Sequence, residues 1–221
     1  MKVCTDACLF GAYTARTIEH STFPIQHILD IGTGTGLLSL MLAQKKNSSI
    51  DAVEIDKAAY QQAKENFEAS PWARKLNVFN TGILNYTAGK KYDCIISNPP
   101  FFEDDLKSGN EGKNIAKHDN ALTLAQLLTS INAHLTATGF FAVLLPFHRV
   151  DHFEKESLSH GYHLIQKVLV KHTITHPYFR GILLFSKNNS MPKITELVIK
   201  DENGVYTEAF VELLRAYYLN L

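Results

Sequence analysis

The chain carries no excess of either charge. Its 22 Lys and Arg residues meet 22 Asp and Glu, for a formal net charge of zero. A broad basic face that grips long nucleic acid without regard to sequence is therefore excluded, and any basic surface must be local. Ten histidines add positive charge only modestly below neutral pH. Cysteine is scarce: Cys4, Cys8 and Cys94 are too few and too poorly spaced for a disulfide framework or a zinc site. Long apolar runs are missing too, since none approaches the roughly 20 residues needed to span a bilayer. The opening Met1-Lys2-Val3-Cys4-Thr5-Asp6 has an acid where a signal peptide carries its apolar stretch. Repeats, low-complexity segments and linkers are also lacking. These absences point to a soluble, reduced, cytoplasmic protein without membrane or metal, and 221 residues suit one domain spanning 1–221.

What is present begins with an apolar strand over 25–31 that ends in Asp30-Ile31-Gly32-Thr33-Gly34-Thr35-Gly36, followed by a helix over 37–44. Strand, glycine loop and helix form the first unit of a doubly wound α/β sheet. Glycines let the chain turn tightly and let a ligand approach the backbone, while the helix N-terminus favours negative charge. A second strand, Ile50-Asp51-Ala52-Val53-Glu54-Ile55-Asp56, places Glu54 where an acid can take both ribose hydroxyls of a nucleoside. The glycine spacing is Gly-x-Gly-x-Gly, with Leu37 where a nicotinamide or flavin fingerprint wants its last glycine. That spacing disfavours a nicotinamide oxidoreductase. With Asp30 two residues before the first glycine, it fits an amino-acid-bearing nucleoside with no pyrophosphate, and S-adenosylmethionine is the candidate. Gly32, Gly34, Gly36, Asp30 and Glu54 are the core of this cofactor set, joined by Ile83 and Ser97.

The second motif is Ser97-Asn98-Pro99-Pro100-Phe101-Phe102, at the end of a strand over 92–97. Neither proline donates to a sheet ladder, so the strand stops there, and Asn98, preceding a proline, is held extended. The result presents one amide side chain, backbone carbonyls and aromatic rings at the mouth of a strand. The carboxamide oxygen of Asn98 and the carbonyl of Pro99 can each accept one hydrogen of an exocyclic NH2 group. Phe101 suits the face of a flat ring. The plainer reading is a strand, a loop and core phenylalanines.

The remaining pattern predicts helices over 4–18 (capped by Thr5 or Asp6), 57–70, 122–135, 148–159 and 206–219. It predicts strands over 76–80, 140–145, 162–170, 179–186 and 196–200, with 162–170 and 179–186 as an antiparallel pair. Trp72 reads as a packing anchor. The polar stretch 103–120, with lysines at 107, 113 and 117, reads as a long functional loop or a solvated one. His172 and His176 lack the glutamate and helical context of a zinc protease motif. Arg180, His148 and Arg149 are candidates for phosphate contact.

In this order, Asp30-Ile-Gly-Thr-Gly-Thr-Gly, Glu54 and Asn98-Pro99-Pro100-Phe101 resemble the class I methyltransferases that act on exocyclic or amide nitrogens. Together with Met1-Lys2-Val3-Cys4-Thr5-Asp6, Ser70-Pro71-Trp72-Ala73 and Tyr206-Thr207-Glu208-Ala209, the chain resembles, nearly end to end, the bacterial tRNA1(Val) adenine-37 N6-methyltransferase family. The resemblance implies a Rossmann-like seven-stranded, mostly parallel sheet with helices on both faces and strand seven antiparallel between five and six. It implies S-adenosylmethionine as cofactor, valine tRNA as substrate, no stable protein partner, and Thr5 and Asp6 over the cofactor pocket. Asn98, Pro99, Pro100 and Phe101 would form the catalytic set. Glutamine N5-methyltransferases of release factors share the Asn-Pro-Pro-aromatic motif and are the competing enzyme reading; a cofactor-binding module without turnover is the other. Two departures stand out. Family members usually carry some tens of residues ahead of the Lys-Val-x-Thr-Asp segment, which implies that the N-terminal edge of the substrate site is missing here. An acid common after the third strand is replaced by Gly82, leaving backbone groups or Asn80 to hold adenine.

Overall fold

The computed structural model describes residues 4–99 and 122–220. Its strands are β1 (His27–Ile31), β2 (Ser49–Glu54), β3 (Leu76–Asn80), β4 (Tyr92–Ser97), β5 (Leu135–Pro146), β6 (His163–Lys171), β7 (Tyr178–Ser186) and β8 (Lys193–Val198). They form one sheet in the order β3-β2-β1-β4-β5-β7-β6-β8. Strands β1 to β5 run parallel, and β7 inserts antiparallel between β5 and β6. The seven-strand order implied by the resemblance is present, and β8 extends it by pairing parallel with β6. The carboxyl ends of β1 to β6 and the amino end of β7 therefore share one edge. Such an edge, where crossovers leave in opposite directions, is where open α/β sheets bind ligands.

Helices α1 (Thr5–Glu19), α2 (Leu37–Ala43) and α6 (Glu208–Leu214) cover one face of the sheet. Phe67 of α3 (Lys57–Glu68) joins that cluster, and α4 (Leu124–His134) and α5 (Val150–Ser159) cover the other face. The central strands are buried on both sides, so β4 and the carboxyl part of β5 read as continuous apolar runs rather than alternating ones. At the centre of the second face, Phe141 stacks on Phe185 at 5.1 Å and meets Tyr162 edge-on at 5.0 Å. Trp72 packs against the first cluster as an anchor.

Several element boundaries differ from the sequence pattern. β5 starts at Leu135, where a helix end was expected: Leu135 pairs with Tyr92, and the ladder slips between Tyr92 and Cys94. The intervening polar, exposed residues disguise that half of the strand. β8 begins earlier than expected because, as an edge strand, it exposes Lys193, Ile194 and Glu196 and leaves no apolar run to read. α6 is short: Thr207 caps it by accepting from Phe210 N, and the chain bends after Leu214. α1 has Cys4 at its cap without a side-chain cap bond, so neither Thr5 nor Asp6 caps it. Asp6 lies instead in the first turn, where a carboxylate complements the helix dipole.

One buried acid on β2 belongs to the framework. Burial alone would raise the Asp51 carboxyl, but hydrogen bonds from Asn77, Lys90 and Tyr92 hold it below its ordinary value. Asn77 donates at 2.9 Å, Tyr92 at 2.8 Å and Lys90 at 2.9 Å. This fully partnered cluster ties β2, β3 and β4 together.

Candidate functional site at the carboxyl edge

The glycine loop adopts three left-handed turns in five residues: Gly32 at φ 71°, Gly34 at φ 60° and Gly36 at φ 86°. Only glycine enters that region without strain, which is why the spacing was legible. The loop is tied down from three directions. Gly32 N and Thr33 N both donate to Val53 O, at 2.9 and 3.1 Å. Asn66 of α3 donates to Thr35 O at 2.8 Å, and Gly36 caps α2. A Cβ at Gly36 would lie 2.4 Å from Cε1 of buried Phe67. Gly36→Ala should therefore cost roughly 2–4 kcal/mol from left-handed strain plus overpacking, read as a fall in the denaturation midpoint. An unchanged midpoint would mean that the loop relaxes.

Asp30 is fully buried at the end of β1. Its Oδ2 accepts from the hydroxyls of Thr33 at 2.6 Å and Ser39 at 2.7 Å, while its Oδ1 has no partner. Burial pushes the carboxyl up to about 6; the Thr33 and Ser39 hydroxyls and the Ser39 backbone N–H oppose the shift, and the Glu54 carboxylate reinforces it. A buried carboxylate oxygen without a donor is costly unless a ligand supplies one. A Cβ at Gly32 would meet nothing within 4 Å, so there is open space over the loop beside it. An aminoacyl ammonium fits that acceptor and that opening, and S-adenosylmethionine carries one. Sequence reasoning missed Ser39 and Asn66. The signal for Ser39 was a lone hydroxyl inside the run Leu37-Leu38-Ser39-Leu40-Met41-Leu42.

Glu54 is placed at the loop as expected, but it also holds structure. Its Oε2 accepts from Gly34 N at 2.8 Å and its Oε1 from Asp56 N at 2.9 Å. Each oxygen keeps a second lone pair, so ribose hydroxyls can still be received there. Asn80, offered for adenine, instead donates its amide hydrogens to the carbonyls of Glu54 and Ile55, at 2.9 and 3.3 Å. Ile55, 61% exposed, is the residue that sequence reasoning passed over here. Its Cδ1 lies 3.2 Å from where a Gly82 Cβ would be, so the glycine leaves room for this exposed apolar side chain.

Two of the expected cofactor residues have partners within the protein. Ser97 is buried and donates its hydroxyl to Ile31 O at 2.9 Å, locking β4 to β1 at their tips. Ile83 is buried in the apolar cluster on the second face. A serine hydroxyl at a strand end finds the adjacent carbonyl first, and an isoleucine finds the core. Thr5 is exposed, and Asp6 accepts from Arg180 Nε at 2.7 Å, pairing α1 with the start of β7. Arg180 is thus neutralised and not held out toward a phosphate.

Asn98 and Pro99 stand at the tip of β4, half-buried and buried respectively. Since Ile31 pairs with Ser97, they leave the sheet beside the glycine loop of β1. Pro100, Phe101 and the stretch 103–120 lie outside the described residues. A cavity of about 800 Å³ runs along β3, between Tyr60, Phe79, Asn80 and Tyr86. It includes neither Asp30, nor a loop glycine, nor Asn98, and the one acid in its wall, Asp51, is fully partnered. Among the described residues, no group of three or more His, Cys, Asp or Glu side chains is arranged for a metal, and no helix is long and apolar enough to cross a membrane.

Comparison with known proteins agrees with this geometry. The family model of the methyltransferase small domain matches residues 14–145. A relative from Dyadobacter fermentans is 39% identical over 99% of this chain and 91% of its own length. One from Cytophaga hutchinsonii is 40% identical over 100% and 92%, and one from Photorhabdus laumondii 38% over 99% and 89%. Each is named tRNA1(Val) (adenine(37)-N6)-methyltransferase. Among solved structures, a predicted O-methyltransferase from Agrobacterium tumefaciens superposes with TM-score 0.70 at 14% identity, covering 98% of this chain and 100% of its own. A putative RNA methyltransferase from Pyrococcus horikoshii gives TM-score 0.59 at 22% identity, covering 84% of each. At those identities the structures show the fold alone.

Proposed function

Because this chain belongs to the methyltransferase small-domain family, among the tRNA1(Val) (adenine(37)-N6)-methyltransferases, we infer that it methylates the exocyclic N6 of adenine 37 in the anticodon loop of valine tRNA. The cofactor is S-adenosylmethionine, which supplies an activated methyl group. The observation that carries the assignment is the juxtaposition of the Asn98-Pro99 tip with a glycine loop whose buried acid keeps one oxygen unpaired. The whole chain acts as one catalytic domain, in the cytoplasm, where its tRNA substrate is found.

We assign the work of the residues as follows. Asp30 Oδ1 receives the ammonium of the methionine end, the glycine loop lies along the same end, and Glu54 receives the ribose. The side-chain oxygen of Asn98 and the carbonyl of Pro99 each accept one N6 hydrogen. The lone pair of N6 is delocalised into adenine, which makes it a poor nucleophile. Holding both hydrogens favours a pyramidal nitrogen whose lone pair is free to react, a gain realised mainly in the transition state. No strong base is required, because a methylated arylammonium is very acidic. The adenine must leave the loop stack to reach this tip, as bases do for enzymes that act on their ring substituents.

The test is transfer of labelled methyl to unmodified valine tRNA, beside the same transcript with guanine at position 37. Label on the adenine transcript alone is the expected result. Label on neither tRNA, but on a glutamine-bearing release factor, would overturn it.

A further inference from the structure

On the reading that this chain methylates tRNA, we propose that the edge formed by β5, β6 and β7 is a stacking shelf for anticodon-loop nucleotides next to the target adenine. Its exposed rings are Phe147, backed by Tyr178, and His172, backed by Phe179. A bulge shapes one end of the shelf. Val170 pairs with Arg180 and Lys171 with Tyr178, so Phe179 is an extra residue on β7. Bulges re-aim side chains at sheet edges beside active sites, and here Phe179 lies flat on His172, with ring centroids 3.8 Å apart and planes 11° apart. Across the neighbouring strand, Phe147 packs against Tyr178 at 5.2 Å.

Phe147 stands one strand over from the reactive tip. β4 and β5 are adjacent and parallel with Ser97 opposite Val143, so Asn98 is level with Leu144. Phe147 is three residues further along, roughly 10 Å beyond that level and one strand over. It is 39% exposed although it follows a strand with an almost entirely buried carboxyl half. An exposed phenylalanine in that position does nothing for the core. The framework under the rings is pinned: Arg180 is held by Asp6 at 2.7 Å, Lys171 by Glu196 at 3.6 Å, and the Tyr178 hydroxyl also bonds Glu196.

The same pairing decides what kind of contact the shelf makes. Lys167, Lys171 and Arg180, the lysines and arginine of β6 and β7, already face acids, so these strands are not a phosphate clamp. Tyr178 and Phe179 are backing rings, with Lys171 Nζ 4.4 Å and the Arg180 guanidinium carbon 5.5 Å from their centroids. The exposed rings of Phe147 and His172 fit the unstacked bases of a single-stranded RNA loop, which aromatic and histidine side chains recognise by stacking. An adenine that has left its stack deprives its neighbours of a partner, and the shelf replaces it.

The experiment uses the full chain and compares Phe147→Ala, Phe147→Leu and Phe147→Trp. A fluorescent anticodon stem-loop reports RNA binding, calorimetry reports S-adenosylmethionine binding, and steady-state kinetics report methyl transfer. Phe147→Ala and Phe147→Leu should weaken stem-loop binding and raise KM for tRNA by about tenfold or more, while cofactor affinity stays unchanged. Phe147→Trp should restore both, which a merely apolar filling role would not require. The slope of log K against log salt should stay the same in Phe147→Ala, because no phosphate contact is removed. Phe23→Ala, a comparably exposed ring ahead of β1 on the opposite edge, should change nothing. Equal stem-loop affinity in wild type and Phe147→Ala overturns the shelf, as does a wild type that binds no stem-loop. Ring-dependent binding without methyl transfer would leave the shelf standing and overturn the methylation reading instead.

Discussion

Asn98→Ala should fold, bind S-adenosylmethionine with wild-type affinity and lose at least about a hundredfold in kcat, the scale seen when one preorganised hydrogen-bonding group is removed from a transition state. The expectation follows from where Asn98 stands. It is the first residue past β4, held extended by the proline after it, and it belongs to neither apolar cluster. Truncation therefore leaves no core cavity. Cofactor affinity should survive because Asp30, Glu54 and the loop glycines lie on other strands. KM for tRNA should move little, since the bond strengthens only as N6 becomes pyramidal. Asn98→Asp separates geometry from charge. It keeps the acceptor but places a carboxylate beside a bound cationic cofactor, and its rate should recover only in part. Single-turnover methylation of valine tRNA is the measurement. A wild-type rate in Asn98→Ala would remove the hydrogen-bonding mechanism while leaving the family assignment untouched.

Asp30→Asn should move stability and affinity in opposite directions. The carboxyl is raised by burial to about 6 from its ordinary 3.8, so the folded protein holds this proton more tightly than the unfolded chain does. Stability then falls as pH rises from about 4 to about 6 and stays lower above that. The difference of about two units corresponds to an upper bound of ~3 kcal/mol. Asparagine never ionises, and its oxygen can still accept from Thr33 and Ser39. The cofactor-free variant should thus be more stable than wild type by roughly 1–3 kcal/mol at pH 7.5, with the gap closing near pH 4. Its amide NH2 would occupy the position of the unpaired Oδ1 and present a donor to an ammonium. Cofactor affinity should drop about ten- to hundredfold, the worth of a hydrogen bond to a charged group. Denaturant titrations at the two pH values and calorimetry at pH 7.5 check both halves. A variant that is less stable at pH 7.5 would show that Asp30 is a structural carboxylate, not a poised one.

Sequence alone determined the topology of the first half and the two motifs. Left-handed backbone admits glycine and little else, so Gly-x-Gly-x-Gly announced its turns. A strand that meets two prolines has to stop, so Asn98 was marked as a tip. Spacing placed Glu54 beside the loop, and short-range turn chemistry foretold the β6–β7 pair. Tertiary structure alone decided which polar groups are already spent. Ser97 binds Ile31, Asn80 binds the end of β2, and Arg180 is neutralised by Asp6, a residue 174 positions away. Among the described residues, Asp30 alone of the sequence-chosen polar side chains is left with a buried, unpartnered oxygen. Hydrogen-bond partners across a sheet depend on register and burial, which local pattern does not encode. The same holds for the aromatic edge: Phe147, Tyr178, Phe179 and His172 come from three strand ends, and one bulge sets Phe179 on His172.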